Sequence, residues 1–270
     1  MEEVLLQLAR RLQNKYYGKY RGFVVDNDDP EQLGRVRLLI PSVLGETETG
    51  WALPCLPFGG LEDQGFFAVP GVDAQVWVEF EEGNINAPIW VGVFWQNSGE
   101  IPSEGALNPP TTTVIKTSSG HTFHFDDEEN AEKICLIHKS GAELCIDENG
   151  TVVLKDAQKN ALTLDADGTT ITLEDANGNT LSTSSTGMTL QDCNGNKIDM
   201  TTSGITIKAQ EITVEGTQVL LAGAGGEPVI KGQSFLTLFA THIHPTGVGP
   251  SGPPVPQGEM STLSMKTMTT

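Results

Sequence analysis

Thr151-Val-Val-Leu-Lys-Asp-Ala-Gln-Lys-Asn-Ala-Leu-Thr-Leu-Asp-Ala-Asp-Gly-Thr-Thr-Ile-Thr-Leu-Glu174 is the stretch whose reading decides the fold. Apolar and polar residues alternate in short runs, and a turn pair, Lys159-Asn160 or Asp167-Gly168, separates one run from the next. A side-chain period of two with Gly and Asn punctuation is the pattern of β-strands joined by tight turns. The same punctuation extends upstream to Ser119-Gly120, Ser140-Gly141 and Asn149-Gly150. Downstream it continues through Asn177-Gly178, Thr186-Gly187, Asn194-Gly195 and Ser203-Gly204. A unit of roughly nine residues cannot bury its own apolar face, so the tract predicts a stacked array.

Each strand offers only two or three inward side chains, mostly Leu, Ile and Val, and Phe123 with Phe125 is the one aromatic cluster of the tract. A solenoid built by one chain needs repeats of roughly 20 residues or more to wrap a core. Three chains, each supplying one wall of a triangular prism, solve the problem and remove the open sheet edges. The expectation is therefore an all-β protein whose residues 117–228 form an intertwined triple-stranded β-helix in a homotrimer. Eight to ten strands per chain at about 4.8 Å would make a prism roughly 40–50 Å long.

Composition narrows the function classes. Hydrophobic residues are 38% of the 270 and aromatics 6%, low for one large core and suited to a thin rod. The net charge of −19 argues against a nucleic-acid-binding surface and against attraction to anionic lipid heads. Cys55, Cys135, Cys145 and Cys193 have no metal-type spacing. Cys135 and Cys145 stand ten apart and could face one another on neighbouring strands, but buried free thiols are the expectation. No apolar run reaches membrane-spanning length, and the N-terminus lacks a signal-peptide core, which implies synthesis in the cytoplasm and no export by the general secretory route.

Ahead of the array, residues 2–17 read as an amphipathic helix with Val4, Leu5, Leu8 and Leu12 on one face, making residues 1–18 an N-terminal helical segment. Residues 19–96 read as a small closed barrel, an OB-type Greek key. Its strands are expected at Tyr20-Arg-Gly-Phe-Val-Val, Gly34-Arg-Val-Arg-Leu-Leu-Ile, Ala74-Gln-Val-Trp-Val-Glu-Phe and Ile89-Trp-Val-Gly-Val-Phe. Trp77, Phe80, Trp90, Phe94 and Trp95 stand among Glu79, Glu81 and Glu82, so they read as core and interface, not as a base-stacking platform. Residues 97–116 form a Ser/Gly/Pro/Asn linker, and residues 229–270 a C-terminal apex with a polar tail from Gly258.

The apex holds the sharpest constellation, Thr241-His-Ile-His-Pro245. On a strand, i and i+2 share a face. On a threefold axis His242 and His244 become six imidazoles, a set suited to an octahedral first-row metal such as Fe(II), whereas Zn(II) prefers four ligands. His121, His124 and His138 read as surface or satisfied core residues. The run Asp126-Asp-Glu-Glu129 reads as a solvated loop, because glycosidase carboxylates must face each other across a cleft. No nucleophile elbow, phosphate loop or zinc-protease pattern is present, and no enzyme activity is expected.

The order of helix, barrel, Gly-punctuated prism and Thr241-His-Ile-His-Pro-Thr-Gly-Val-Gly-Pro-Ser-Gly-Pro-Pro254 resembles the baseplate central spike family. These are the "baseplate assembly protein V" type spikes of contractile-tailed phages and phage-like injection systems. In the barrel the resemblance rests on Gly34-Arg-Val-Arg-Leu-Leu-Ile-Pro41, Gly71-Val-Asp-Ala-Gln-Val-Trp-Val-Glu-Phe-Glu-Glu-Gly83 and Ile89-Trp-Val-Gly92. It implies a homotrimer with one iron ion per trimer on His242 and His244, and a separate hub protein above a ring of barrels. It also implies assembly in the cytoplasm into a virion tail baseplate or injection particle, and piercing of the target envelope on sheath contraction. The tail beyond Pro256 is longer than a minimal apex needs, with length either to wrap the tip or to dock a separate tip protein. No lysozyme-like insert lies between barrel and prism. The rival reading is a trimeric β-helix depolymerase or receptor-binding tail fibre, which gives the barrel no role.

Overall fold

The computed structural model describes residues 3, 15–219, 230 and 232–255. It divides into two units, 1–207 and 208–270. Most of the expected N-terminal helix, and the tail from residue 256, lie outside the described residues. The helix does not reach Tyr17: Lys15–Tyr17 is irregular. There the Tyr16 amide donates to the Gly83 carbonyl (2.9 Å), and the Tyr16 ring packs on Tyr20 and Phe80.

The barrel has five strands, β1 (Tyr20–Asp26), β2 (Arg37–Leu39), β3 (Leu53–Pro54), β4 (Gln75–Phe80) and β5 (Pro88–Val93), in the order β2-β1-β4-β5-β3. All pairings are antiparallel except β3 with β5. Bridges at Val36↔Ala52 and Leu39↔Glu48 join the β2 side to the β3 side. Alternation drives this closure: β4 reads Gln-Val-Trp-Val-Glu-Phe, and its Val76, Val78 and Phe80 enter the core. The two-residue β3 has no pattern long enough to read in sequence, and it was not among the expected strands. The short helix α1 (Pro41–Leu44) follows β2, with proline at its start, where a missing N–H costs nothing.

The array is an eleven-strand antiparallel meander in strict chain order. Its strands are β6 (Thr112–Lys116), β7 (Thr122–Asp126), β8 (Lys133–Ile137), β9 (Glu143–Ile146), β10 (Val152–Lys155) and β11 (Ala161–Asp165). They continue as β12 (Thr170–Glu174), β13 (Thr180–Ser184), β14 (Gly187–Gln191), β15 (Lys197–Thr201) and β16 (Gly204–Lys208). β6 falls inside the stretch read as linker, and residues 209–219 carry no strand. Ten spacings of about 4.8 Å give the sheet a height of about 48 Å. The turns stand where the punctuation placed them, with positive φ at Gly120, Gly141, Gly150, Gly178 and Gly195. At the two turns inside the opening stretch the left-handed residues are Lys159 and Thr169 instead of a glycine.

The second unit contains α2 (Gly232–Thr241) and a small hairpin of β17 (Pro245–Thr246) and β18 (Gly249–Pro250). No helix among the described residues is long and apolar enough to cross a membrane.

Candidate functional site

The register of the meander brings its apolar residues into two ladders on one face. One passes through Leu144, Leu154, Leu162, Leu173, Leu181 and Leu190, each directly opposite the next. The other passes through Ile134, Ile146, Val152, Leu164 and Ile171, and then Thr183, Met188 and Met200. Along each strand the two ladders are two residues apart, so they share a face. Leu154, Ile171, Leu173 and Leu190 remain about half exposed. A contiguous exposed apolar face of this length marks an interaction surface. The opposite face carries a column of Val153, Thr163, Thr172, Ser182, Thr189 and Asp199, the polar outer wall expected from alternation.

At the top of that second column stand Cys135 and Cys145, directly opposite one another with Cα atoms 4.2 Å apart and joined by a disulfide. The expectation of buried free thiols is corrected here. A turn centred on Ser140-Gly141 places the two cysteines directly opposite one another, the position from which a cross-strand bridge forms. Cys55 and Cys193 are free and exposed. His124, next to Cys135 in the register, is buried with no hydrogen-bond partner for Nδ1, so it is a core residue but not a satisfied one. His121 and His138 lie on neighbouring turns with ring centroids 4.5 Å apart. The acidic run straddles the end of β7 and the following turn. There Asp126 accepts the Glu128 amide at 3.3 Å and lies 3.8 Å from Lys133 Nζ.

One edge of the sheet is laced by a side-chain relay that the sequence reading missed. Asn160 donates to Asp156 at 2.6 Å and accepts the Ala176 amide at 2.9 Å. Asn179 donates to Asp175 at 2.7 Å and accepts the Cys193 amide at 3.1 Å. The Asp-x-x-x-Asn corners at 156 and 175 thus close their own turns and hold the next turn on that edge, and the corner at 192 closes its own; the repeat at 156, 175 and 192 was the available signal. Hydrogen bonds from Asn179, side chain and backbone, hold the Asp175 carboxyl at about 2, and Asn160 and Asn196 lower Asp156 and Asp192 in the same way.

At the C-terminal end, α2 delivers His242, and the hairpin begins just after His244. The two imidazoles have centroids 5.0 Å apart and planes 82° apart. His242 Nδ1 donates to the Phe239 carbonyl, which leaves Nε2 as its free lone pair. A second-sphere carbonyl on one ring nitrogen is what a metal-bound histidine ordinarily has. His244 is fixed through its backbone: its amide donates to Ser251 Oγ and its carbonyl accepts the Ser251 amide, both at 2.7 Å. Both residues are therefore held, and the imidazole pair fits a nitrogen-liganded metal. Among the described residues of one chain no cluster of three metal-ligating side chains occurs.

In the barrel, Asp29 is the organising charge. It accepts the amides of Glu31, Leu33 and Arg35 and the Arg35 guanidinium, the last at 2.6 Å. Arg35 beside it outweighs burial and holds the Asp29 carboxyl well below the usual carboxylate range. Trp90 and Phe80 are core residues. Trp77 stacks on Phe94 beneath Arg21, and Trp95 is exposed. Residues Phe58–Phe67 form a hairpin arm, tied by Phe66 N to Phe58 O at 3.0 Å. With Leu33, Pro54 and Leu56 the arm borders a groove of about 850 Å³. Phe58, Leu61 and Phe67 are exposed on it.

Residues 20–95 match the family model described as the Type VI secretion system/phage-baseplate injector OB domain. The barrel is similar to that domain, and the match lies wholly within it. The match begins at the first residue of β1 and ends two residues beyond β5, so it covers the injector OB domain as folded here. A comparison with curated proteins finds no match. The injector OB domain carries the baseplate assignment, and the meander that follows it carries the open apolar face.

Proposed function

We propose that this chain is the central spike of a contractile tail or injection particle, a homotrimer whose three sheets form a triple-stranded β-helix. The observation that carries the reading is the double apolar ladder, left open on one face of a meander that follows an injector OB domain. Three such faces turned inward give a dry axial core, and the Thr, Ser and acidic residues outside keep a strongly negative rod from adhering to other surfaces. Force from sheath contraction passes down the rod to a small tip that pierces the target envelope. The role is mechanical, with no catalytic step.

His242 and His244 are the metal ligands of this reading. Six imidazoles from three chains suit one Fe(II) ion, which would cross-link the chain ends where fraying starts. Each chain contributes its rings already oriented, His242 by the Phe239 carbonyl and His244 by Ser251. The partner above the barrel is a separate baseplate hub protein, and the exposed arm at Phe58–Phe67 is the surface suited to a protein contact. A separate tip protein would dock on the C-terminal end.

Light scattering with elemental analysis tests the reading. The expected result is a mass of three chains and one iron per three chains. A single-chain mass would overturn the spike, and a metal-free trimer would remove the iron while keeping the rod. With His242→Ala and His244→Ala together, the trimer should persist while the C-terminal end is cut faster by protease. Unchanged cutting and unchanged metal content would count against the ligand assignment.

A further inference from the structure

His124 on β7 stands directly opposite Cys135 on β8, and Cys135 stands opposite its disulfide partner Cys145 on β9. Residues opposite one another on one face have Cβ atoms about 4.5–5.5 Å apart, so the imidazole and the Cys135 sulfur are side-chain neighbours. All three belong to the column that continues through Val153, Thr163 and Thr172, on the face away from the apolar ladders. The two sulfurs are not equally placed: Cys135 is 4% exposed, whereas Cys145 is only partly buried. The linker shields this end of the face, where Gly105 lies against the Val114 side chain and Val114 is opposite His124. Charged neighbours on the face are already paired, Lys116 with Glu104 (2.7 Å), Lys133 with Asp126 (3.8 Å) and Lys155 with Glu143 (3.1 Å). His124 is buried, and its Nδ1 has no partner. Folded proteins rarely leave such an atom unpaired. In the dithiol form it gains a partner, because the Cys135 sulfur then carries a proton beside it.

We infer that Cys135, Cys145 and His124 form a thiol–disulfide exchange site for small disulfides such as oxidised glutathione. Cys145 is the point of entry, Cys135 the closing thiol and His124 its proton acceptor. Closure runs in two steps. The Cys145 thiol gives its proton to solvent, and its sulfur attacks one sulfur of the small disulfide RSSR. RS⁻ leaves and takes up a proton, and Cys145 carries the SR group. Cys135 then passes its proton to His124 Nδ1, attacks the Cys145 sulfur and expels the second RS⁻, which receives that proton through solvent. Two thiols of the chain are oxidised, RSSR is reduced to two RSH, and the imidazole returns to its neutral form. Opening is the reverse, with a small thiolate attacking Cys145 and Cys135 leaving. Since Nδ1 is bonded in the dithiol form and unpartnered in the disulfide form, His124 makes the bridge easier to reduce.

The test uses the full chain with Cys55→Ser and Cys193→Ser, which remove the exposed free thiols. It is equilibrated in mixtures of reduced and oxidised glutathione, quenched with acid and read by mass spectrometry. One transition that gains two thiols is expected. On the same background Cys135→Ser should hold one glutathione on Cys145, and Cys145→Ser should leave Cys135 unmodified. Glutathione on both variants alike, or no thiols gained by the folded chain in reducing mixtures, overturns the site. His124→Leu should move the glutathione equilibrium roughly fivefold towards the disulfide, the factor one neutral hydrogen bond is worth, and His124→Gln, which keeps an acceptor, should restore it in part. An equilibrium unmoved in His124→Leu removes the imidazole from the site. The single-cysteine variants decide the order of attack whether or not His124→Leu folds. The site does not rest on the spike reading: a single-chain mass in light scattering overturns the spike and leaves the exchange site standing.

Discussion

The barrel and the meander are both sheets with strictly alternating strands, yet they treat their apolar residues in opposite ways. In the barrel, Val36, Leu38, Ile40, Val76 and Val78 are fully buried within one chain. In the meander, Leu154, Ile171 and Leu173, equally apolar and equally regular in spacing, stay about half exposed. The difference lies in the connections. The barrel's links are long and irregular enough to curl five strands round and lay β3 alongside β5, so its inner face meets itself. The meander's turns are so short that each strand can only pair with its sequence neighbours. Among the described residues nothing lies over that apolar face, and in the proposed trimer the other chains cover it. Covering a ladder leucine that is already half buried is worth about 1 kcal/mol, and the leucine ladder repeats it from tier to tier.

The largest expected effect breaks the comparison where it is sharpest. Leu154→Asp with Leu173→Asp puts two charges on one ladder, on either side of Leu162, and the expected outcome is a fall in mass from three chains to one. A trimer of unchanged mass would mean that the ladders face solvent. Next comes the barrel control. Leu38→Ala leaves a cavity in a core that one chain completes, at a cost of about 2–5 kcal/mol. The barrel's thermal transition should fall while the association measured by light scattering stays. Loss of association in Leu38→Ala would show that the two regions do not fold independently. Smaller again is the disulfide. Closing a ten-residue loop is worth about 3 kcal/mol at most in the loop-entropy account. Cys135→Ser with Cys145→Ser should therefore speed proteolysis of β8–β9 and leave the barrel transition unmoved.

The turns of the meander were legible because each needs a left-handed residue, and Gly141, Gly150, Gly178 and Gly195 advertise it. The ladders were legible because alternation fixes which residues share a face. The disulfide was legible in principle, since a turn centred on Ser140-Gly141 pairs Cys135 with Cys145. The spacing showed that the two could face one another, but the general tendency of cysteine to stay a buried free thiol was given more weight than the register. The Asp-x-x-x-Asn corners were hidden for another reason. Asp175 and Asn179 look like ordinary turn residues until the sheet places Cys193 above them. α2 was hidden because Phe235-Leu-Thr-Leu-Phe239 also reads as an alternating strand, and only the i, i+3, i+4 grouping of Phe235, Leu238 and Phe239 separates helix from strand. The OB domain was the part read most completely, from four strands and the Gly34–Pro41 and Gly71–Gly83 runs that the family comparison matches.

The smallest effect concerns acid, and it again separates the two regions. Asp175 is depressed from 3.8 to about 2 by Asn179, and Asp156 and Asp192 are lowered by Asn160 and Asn196. A carboxyl lowered on folding stabilises the fold above its unfolded value and loses that contribution as pH falls through the folded one. The corner relay should therefore be intact at pH 5 and loosen between about 4 and 2, read as faster amide exchange of Cys193 and Ala176. Asn179→Ala should reproduce the loosening at neutral pH, with roughly fivefold faster exchange of the Cys193 amide, the factor one neutral hydrogen bond is worth. In the barrel, Asp29 is held lower still, because its partner is a guanidinium and not an amide. Its loop amides at Leu33 and Arg35 should stay protected at a pH where the sheet corners have opened. Simultaneous opening of loop and corners would show that Arg35 adds nothing to Asp29 beyond what an asparagine supplies.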